Sequence, residues 1–183
     1  MADAASGTSV LVIGGGPIGA LAAVVLIEAG VRVMVSEPNP ARRSRLSSRG
    51  AHAVAPDQVA AAIALSGAFD SVICTVGSEA AMGQAVSGVQ PGGRIVAVGV
   101  FGGMTAIDLN AVQTREIHLV GSMIYDRQDF HDSLAMLQRN VDLESFVTHV
   151  LPLEGVVTAL TLAGSLDADV MKVAIDPSCS DMT

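Results

Sequence analysis

The chain has 183 residues, enough for one domain with a sizeable core but cramped for two. Half of its residues are apolar, 15% are charged and 3% are aromatic with no Trp, so the core must be aliphatic and alanine-rich, which suits helices packed on a parallel sheet. Ten basic against 18 acidic residues give a formal net charge of -8, which argues against nucleic acid as a partner.

Residues 1–8 read as a short leader: no basic stretch precedes an apolar core, so it lacks the form of a signal peptide. Ser9-Val10-Leu11-Val12-Ile13 then suits a strand buried on both faces, and the apolar stretch from Ile18 to Ala29 suits the helix that follows it. Between them Gly14, Gly16 and Gly19 fit G-x-G-x-x-G. Each glycine answers a steric demand: Gly14 makes the tight turn, Gly16 lets the backbone approach a pyrophosphate, and Gly19 lets helix and strand pack closely. Phosphates are favoured at a helix N-terminus, where free N–H groups and the helix dipole attract negative charge, and Pro17 suits the first helical turn.

Arg32-Val33-Met34-Val35-Ser36 forms a second strand ending in Glu37, 18 residues after Gly19 and near the spacing of an acid that receives a ribose diol. The two features together read as a dinucleotide site. Such an acid repels a 2'-phosphate and favours NAD, while Arg42, Arg43 and Arg45 keep NADP open. The plain alternative is a glycine turn that binds nothing, with a solvated glutamate. An FAD enzyme or a methyltransferase would share parts of this pattern, but no second FAD-contacting segment is found.

Pro38-Asn39-Pro40 turns the chain into a helix closed by Gly50, and a short strand follows near Ala53-Val54. A helix over Asp57 to Leu65 leads through Gly67 to a fourth strand, Ser71 to Cys74, and Gly77-Ser78 opens a helix to about Ser87. Pro91-Gly92-Gly93 is a strong turn signal before a fifth strand, Arg94 to Val98, ending in Gly99. A sixth strand lies near His118 to Val120. Phe130, Leu134 and Leu137 recur at helical spacing over Asp129 to Arg139 and read as a core stripe. An extended piece ending at Pro152, a helix over Glu154 to Ala163 and a strand Met171 to Ile175 complete the pattern, before a polar tail, 178–183. The alternation predicts an α/β, doubly wound Rossmann fold: a six-stranded, mostly parallel sheet with helices on both faces, over residues 9–177. The apolar run Ala20 to Ile27 is too short to span a bilayer, so no membrane association and a cytoplasmic location are expected.

From Ser9 to Pro177 the chain resembles the nucleotide-binding half of the medium-chain dehydrogenase/reductase family, the zinc-type alcohol and polyol dehydrogenases, with butanediol, threonine and sorbitol dehydrogenases nearest in character. Beyond the glycine motif, the resemblance rests on Phe69 to Ser78, Val89 to Gly99, Asp108-Leu109-Asn110, Arg115 to Ser122, Val150 to Glu154 and Lys172-Val173. It implies that Gly14 to Ile18 cover the pyrophosphate, Glu37 holds the adenosine ribose and Arg42 flanks the adenine side. Thr75, Val76 and Gly77 would border the adenine and its ribose. Val98, Gly99, Val100, Gly121 and Ser122 would line the nicotinamide end. Lys172 matches a position of basic residues near the phosphates, with a solvated strand-end charge as the equal alternative.

In the family a separate N-terminal domain supplies the catalytic zinc, the proton relay and most of the substrate pocket, and nothing in this sequence corresponds to it. His52, His118, His131 and His149 have no Cys or carboxylate at zinc-site spacing, so no metal site is expected. Cys74, in an apolar run, reads as a buried inert thiol. No residue is marked as catalytic. The resemblance implies the NAD(H)-binding domain of an alcohol or polyol dehydrogenase-like oxidoreductase, able to bind NADH but not by itself to oxidise simple alcohols. The alternatives are a free-standing NAD-binding module, or a repurposed enzyme using Tyr125, Asp126 or His131. The sixth strand is expected at a sheet edge, without lysine or proline to discourage pairing, and so to join two copies in a homodimer. A separate catalytic domain or subunit is the other expected partner.

Overall fold

The computed structural model describes residues 7–139, 143–165 and 170–179; the rest of the leader 1–8 and of the tail 178–183 lies outside the described residues. The chain divides into two compact units, Met1–Met123 and Ile124–Thr183, so the span 9–177 comprises parts of both.

In the first unit the strands are β1 (Ser9–Ile13), β2 (Arg32–Ser36), β3 (His52–Val54), β4 (Phe69–Cys74), β5 (Val89–Ala97) and β6 (His118–Gly121). They form one sheet in the order β3-β2-β1-β4-β5-β6, with every ladder parallel. The expected Rossmann topology is therefore present, with the strand order reversing between β1 and β4, the position where such sheets open a crevice at their carboxyl ends. β1 lies at the centre, and Val10, Leu11 and Val12 have no exposed surface. This is why it reads as an unbroken apolar run instead of an alternating one.

Five helices connect the strands: α1 (Pro17–Glu28), α2 (Pro40–Ser47), α3 (Val59–Ser66), α4 (Glu79–Gly88) and α5 (Leu109–Thr114). Leu11, Ile13, Met34, Val72 and Ile95 form one core cluster with Val59 of α3 and Met82, Ala85 and Val86 of α4. Alternate residues Val10 and Val12 point to the opposite face, and α1 packs on β1 and β2. Small side chains on α1 permit that approach: its buried residues are Gly19, Ala20, Ala23 and Val24.

The amino ends of the central strands are fastened by one carboxylate. Asp70 Oδ2 accepts both the backbone N–H and the hydroxyl of Ser9, each at 2.7 Å, and its Oδ1 accepts Gln90 Nε2 at 2.9 Å. The Ser9 bonds, backbone first, hold the Asp70 carboxyl below its usual range against the opposing effect of burial.

The Pro91-Gly92-Gly93 signal falls inside β5 and not ahead of it. While β4 advances from Phe69 to Ser71, β5 advances from Val89 to Arg94, so the turn is a bulge within the ladder, with Gly92 at φ +71. Gly92 N–H donates to the carbonyl of Arg115 at 2.8 Å, and the Arg115 guanidinium donates to the carbonyls of Val86 and Val89. One arginine thus ties the end of α4 to the start of β5.

The second unit holds α6 (Arg127–Gln138), β7 (Val147–Leu151), α7 (Val156–Ala163) and β8 (Lys172–Ile175), with β7 and β8 paired in parallel. The α6 stripe is not core. Phe130, Leu134 and Leu137 are 52%, 42% and 45% exposed, and no described residue of α6 is buried. The amphipathic pattern is real, but among the described residues this unit's sheet has two strands, too small a platform to cover such a face. Among the described residues no helix is long and apolar enough to cross a membrane.

Candidate functional site

The carboxyl ends of β1, β2, β4, β5 and β6 converge through main-chain contacts. Gly14, at φ +97, takes a conformation that glycine adopts without strain, and its N–H donates to Ser36 O at 2.9 Å. A Cβ there would stand 2.5 Å from Thr75 Oγ1 and 2.6 Å from Val76 Cγ2. The Thr75 hydroxyl in turn donates to Ile13 O at 2.9 Å. A Cβ at Gly19 would overlap the carbonyl oxygen of Gly14 and lie 3.0 Å from its carbon, so α1 starts hard against the turn.

Gly16 differs in kind. It sits at φ -68 and ψ -175, an extended conformation open to any residue, and a Cβ there would meet nothing within 4 Å. It is also the N-cap of α1 and gives that helix no side-chain acceptor. The first-turn N–H groups after Pro17 therefore lie beside open space, with the dipole of a twelve-residue helix behind them. Ile18, in the same turn, is exposed.

Glu37 follows β2 and is only 4% exposed. Its backbone N–H donates to Val54 O at 3.0 Å, while Oε2 accepts Gly15 N–H at 2.7 Å and Oε1 accepts Asn39 N–H at 2.8 Å. Asn39 caps α2 by accepting from Ala41 N and Arg42 N, which places half-buried Arg42 in the first turn of that helix. Arg43 Nη1 donates to the carbonyls of Glu37 at 2.9 Å and Pro38 at 2.7 Å.

On the other side of the switch point, Val98 and Gly99 donate to Cys74 O at 2.9 and 3.0 Å, and Ser122 N–H donates to Ala97 O at 2.9 Å. A Cβ on Gly77 would overlap the Val100 carbonyl, and one on Gly99 would come within 2.6 Å of Gly77 N and of Val76 C. The loops after β4 and β5 thus meet backbone to backbone. Val76, Val100, Gly121 and Ser122 are exposed at this rim. Cys74 is fully buried beneath it, and burial pushes its thiol above the ordinary range, as an inert thiol requires.

Gly14, Gly16, Pro17, Ile18, Gly19, Glu37, Thr75, Val76, Gly77, Val98, Gly99, Val100, Gly121 and Ser122 all belong to the carboxyl-end loops and adjoining element ends of the first unit. Lys172 does not: it begins β8 in the second unit and is exposed. Tyr125, Asp126 and His131 also belong to the second unit, and Asp126 is engaged as the cap of α6, accepting Asp129 N–H at 2.9 Å. Two contributors escaped the sequence reading. Gly15 occupies a variable place in the motif, yet a Cβ there would stand 2.8 Å from Leu46 Cδ1 and 2.9 Å from Glu37 Cγ. Asn39 was legible in principle, because Asn followed by Pro is a helix cap followed by a first-turn proline.

This sheet order, with a glycine turn into an uncapped helix and an acid after β2, defines a dinucleotide-binding Rossmann domain. Residues 17–139 match the model of the zinc-binding dehydrogenases, and the chain belongs to that family. It is 31% identical over 166 residues to the 2-dehydro-3-deoxy-L-galactonate 5-dehydrogenase of Pseudoalteromonas atlantica, covering 84% of this chain and 47% of that protein. Among solved structures, an alcohol dehydrogenase of Escherichia coli complexed with NADH shares the fold with a TM-score of 0.84 at 23% identity, over 92% of this chain and 52% of that one. A zinc-binding dehydrogenase of Sinorhizobium meliloti bound to NADP gives 0.85 at 22%, over 96% and 54%. The chain spans about half the length of the relatives it matches.

The family name raises the question of zinc. Among the described residues no three His, Cys, Asp or Glu side chains gather where they could hold a metal ion. The described side chains do not fit a zinc centre.

Proposed function

We propose that the first unit is the NAD(H)-binding domain of a medium-chain alcohol or polyol dehydrogenase-like oxidoreductase. One observation carries the reading: the open space at Gly16, at the mouth of the uncapped helix α1 and beside the Glu37 turn. In this reading the N–H groups around Gly16 and Ile18 hold the pyrophosphate, Glu37 and Arg42 serve the adenosine side with Thr75, Val76 and Gly77, and Val98 to Val100 with Gly121 and Ser122 line the nicotinamide end. A bound nicotinamide would accept or return a hydride. The chain's own part is to position it and to keep water from one side of the ring. Groups that ease removal of a hydroxyl proton would come from a separate catalytic domain or subunit. The cytoplasm is the compartment in which this reading places the protein.

Cofactor choice tests it. NADH is expected to bind more tightly than NADPH, because the Glu37 charge opposes a 2'-phosphate and the Arg43 guanidinium already serves the carbonyls of Glu37 and Pro38. Calorimetric titration with each cofactor should show the preference, and Glu37→Ala should weaken NADH while narrowing the gap. Equal or tighter NADPH binding rejects the role given to Glu37.

A homodimer joined through β6 belongs to the same reading. β6 ends the sheet order, and all four of its residues are exposed, Leu119 and Val120 among them. An open parallel edge without lysine or proline is prone to pairing. Light scattering over a concentration series is expected to give twice the chain mass, with Val120→Pro shifting it to the monomer. A monomeric mass throughout removes the dimer and leaves the cofactor reading intact.

A further inference from the structure

Both carboxylate oxygens of Glu37 are engaged with main-chain donors of this chain: Gly15 N–H at 2.7 Å on Oε2 and Asn39 N–H at 2.8 Å on Oε1. These donors lie in different segments, Gly15 in the glycine loop after β1 and Asn39 in the turn that opens α2. The Glu37 side chain and Leu46 Cδ1 together fill the space a Cβ on Gly15 would need, which explains a glycine where the motif asks for none. Arg43 holds the same turn through the Glu37 and Pro38 carbonyls, and Gly14 N–H fixes the other side of the loop to Ser36 O. The carboxylate thus bonds the loop after β1 to the turn that opens α2.

We infer that Glu37 is a positioning residue for the cofactor site, acting through the glycine loop as well as on any ribose. An anionic acceptor makes hydrogen bonds about twice as strong as a neutral one, and without it two N–H groups at a largely buried site lose their partner. The loop is then held in its receptive form before a ligand arrives, and less ordering opposes binding. The proposal rests on the dinucleotide reading of the site but adds a role that needs no ribose.

Glu37→Gln separates the two roles. An amide can still meet a diol, its oxygen accepting from one hydroxyl and its nitrogen donating to the other. It cannot replace the clamp, because whichever way it turns, its NH2 group faces one of the two N–H donors. Amide hydrogen exchange on the ligand-free full chain reads this directly. In the Gln variant the non-proline amides of residues 14–19 and 37–41 are expected to exchange about tenfold faster, the factor equivalent to losing roughly one charge-assisted hydrogen bond, while those of Val10, Leu11 and Val72 keep their protection. Unchanged exchange in both segments overturns the proposal.

If the variant does not fold, the unaltered chain supplies a second measurement. In the ligand-free form the amides of Gly15 and Asn39 are both expected to be protected from exchange, since each donates to the Glu37 carboxylate; exchange at the unprotected rate at either one overturns the proposal. Titration of the unaltered chain with NADH keeps the two readings apart. If NADH binds and the exchange result fails, only the clamp is lost; if NADH does not bind, the site reading falls and the proposal with it.

Discussion

Gly16→Val is expected to abolish NADH binding while leaving the chain folded. The expectation comes from what surrounds Gly16: a Cβ meets nothing within 4 Å, and the backbone at φ -68 and ψ -175 is a region that β-branched residues favour. Valine therefore adds no internal clash. Its two branches project into the space beside the first turn of α1, where the pyrophosphate is proposed to lie. A loss of at least about 100-fold in affinity corresponds to roughly 2.7 kcal/mol, a scale that exclusion of a phosphate from its main-chain donors readily reaches. Calorimetry gives the affinity, and circular dichroism with thermal melting confirms the fold. Normal affinity in a folded variant would move the phosphate site away from this loop.

Three residues along, the same kind of substitution should have the opposite signature. Gly19→Ala is expected to lower stability by about 3 kcal/mol, roughly 10 °C in melting temperature for a chain of this size, because an added methyl group collides with backbone and not with a side chain that can rotate away. The obstacle is the Gly14 carbonyl, with Thr75 Oγ1 a further 3.1 Å contact. Gly14 cannot easily yield, being held at φ +97 with its N–H bonded to Ser36. Denaturant unfolding measures the difference. A cost below about 1 kcal/mol would show that α1 can back away from β1, and that close packing is not what this glycine provides.

The contrast between these glycines also marks how far the sequence can be read. Buried strands, their order in the chain and the roles of Gly14 and Gly19 were legible because each leaves a local trace: an unbroken apolar run, a turn residue, a steric demand. β6 was expected at an edge and is found there; the extended piece before Pro152 and the strand Met171 to Ile175 pair with each other as β7 and β8 and do not extend the larger sheet. The α6 stripe misled because periodicity reports which residues share a face and not whether anything covers it; Phe130, Leu134 and Leu137 share the face and remain exposed. Pro91-Gly92-Gly93 was read correctly as a local departure from regular structure, but a bulge inside a ladder and a turn before a strand have the same composition. The contact of Glu37 with Gly15 joins residues 22 positions apart. Such a contact follows from register between β1 and β2, which no short window of sequence contains.

The meeting of Gly77, Gly99 and the Val100 carbonyl carries a consequence for how this family of sites can vary. Since backbone meets backbone at Gly77, Gly99 and Val100, the gap between the walls formed by the loops after β4 and β5 is fixed by the van der Waals radii of peptide groups. Substitution at Gly77 or Gly99 can only force the walls apart, and nothing smaller than glycine exists to bring them closer. Variation at this rim is therefore left to the residues that flank the seam: Val76 and Val100, whose exposed side chains project from fixed backbone and can be exchanged without moving the frame that carries them.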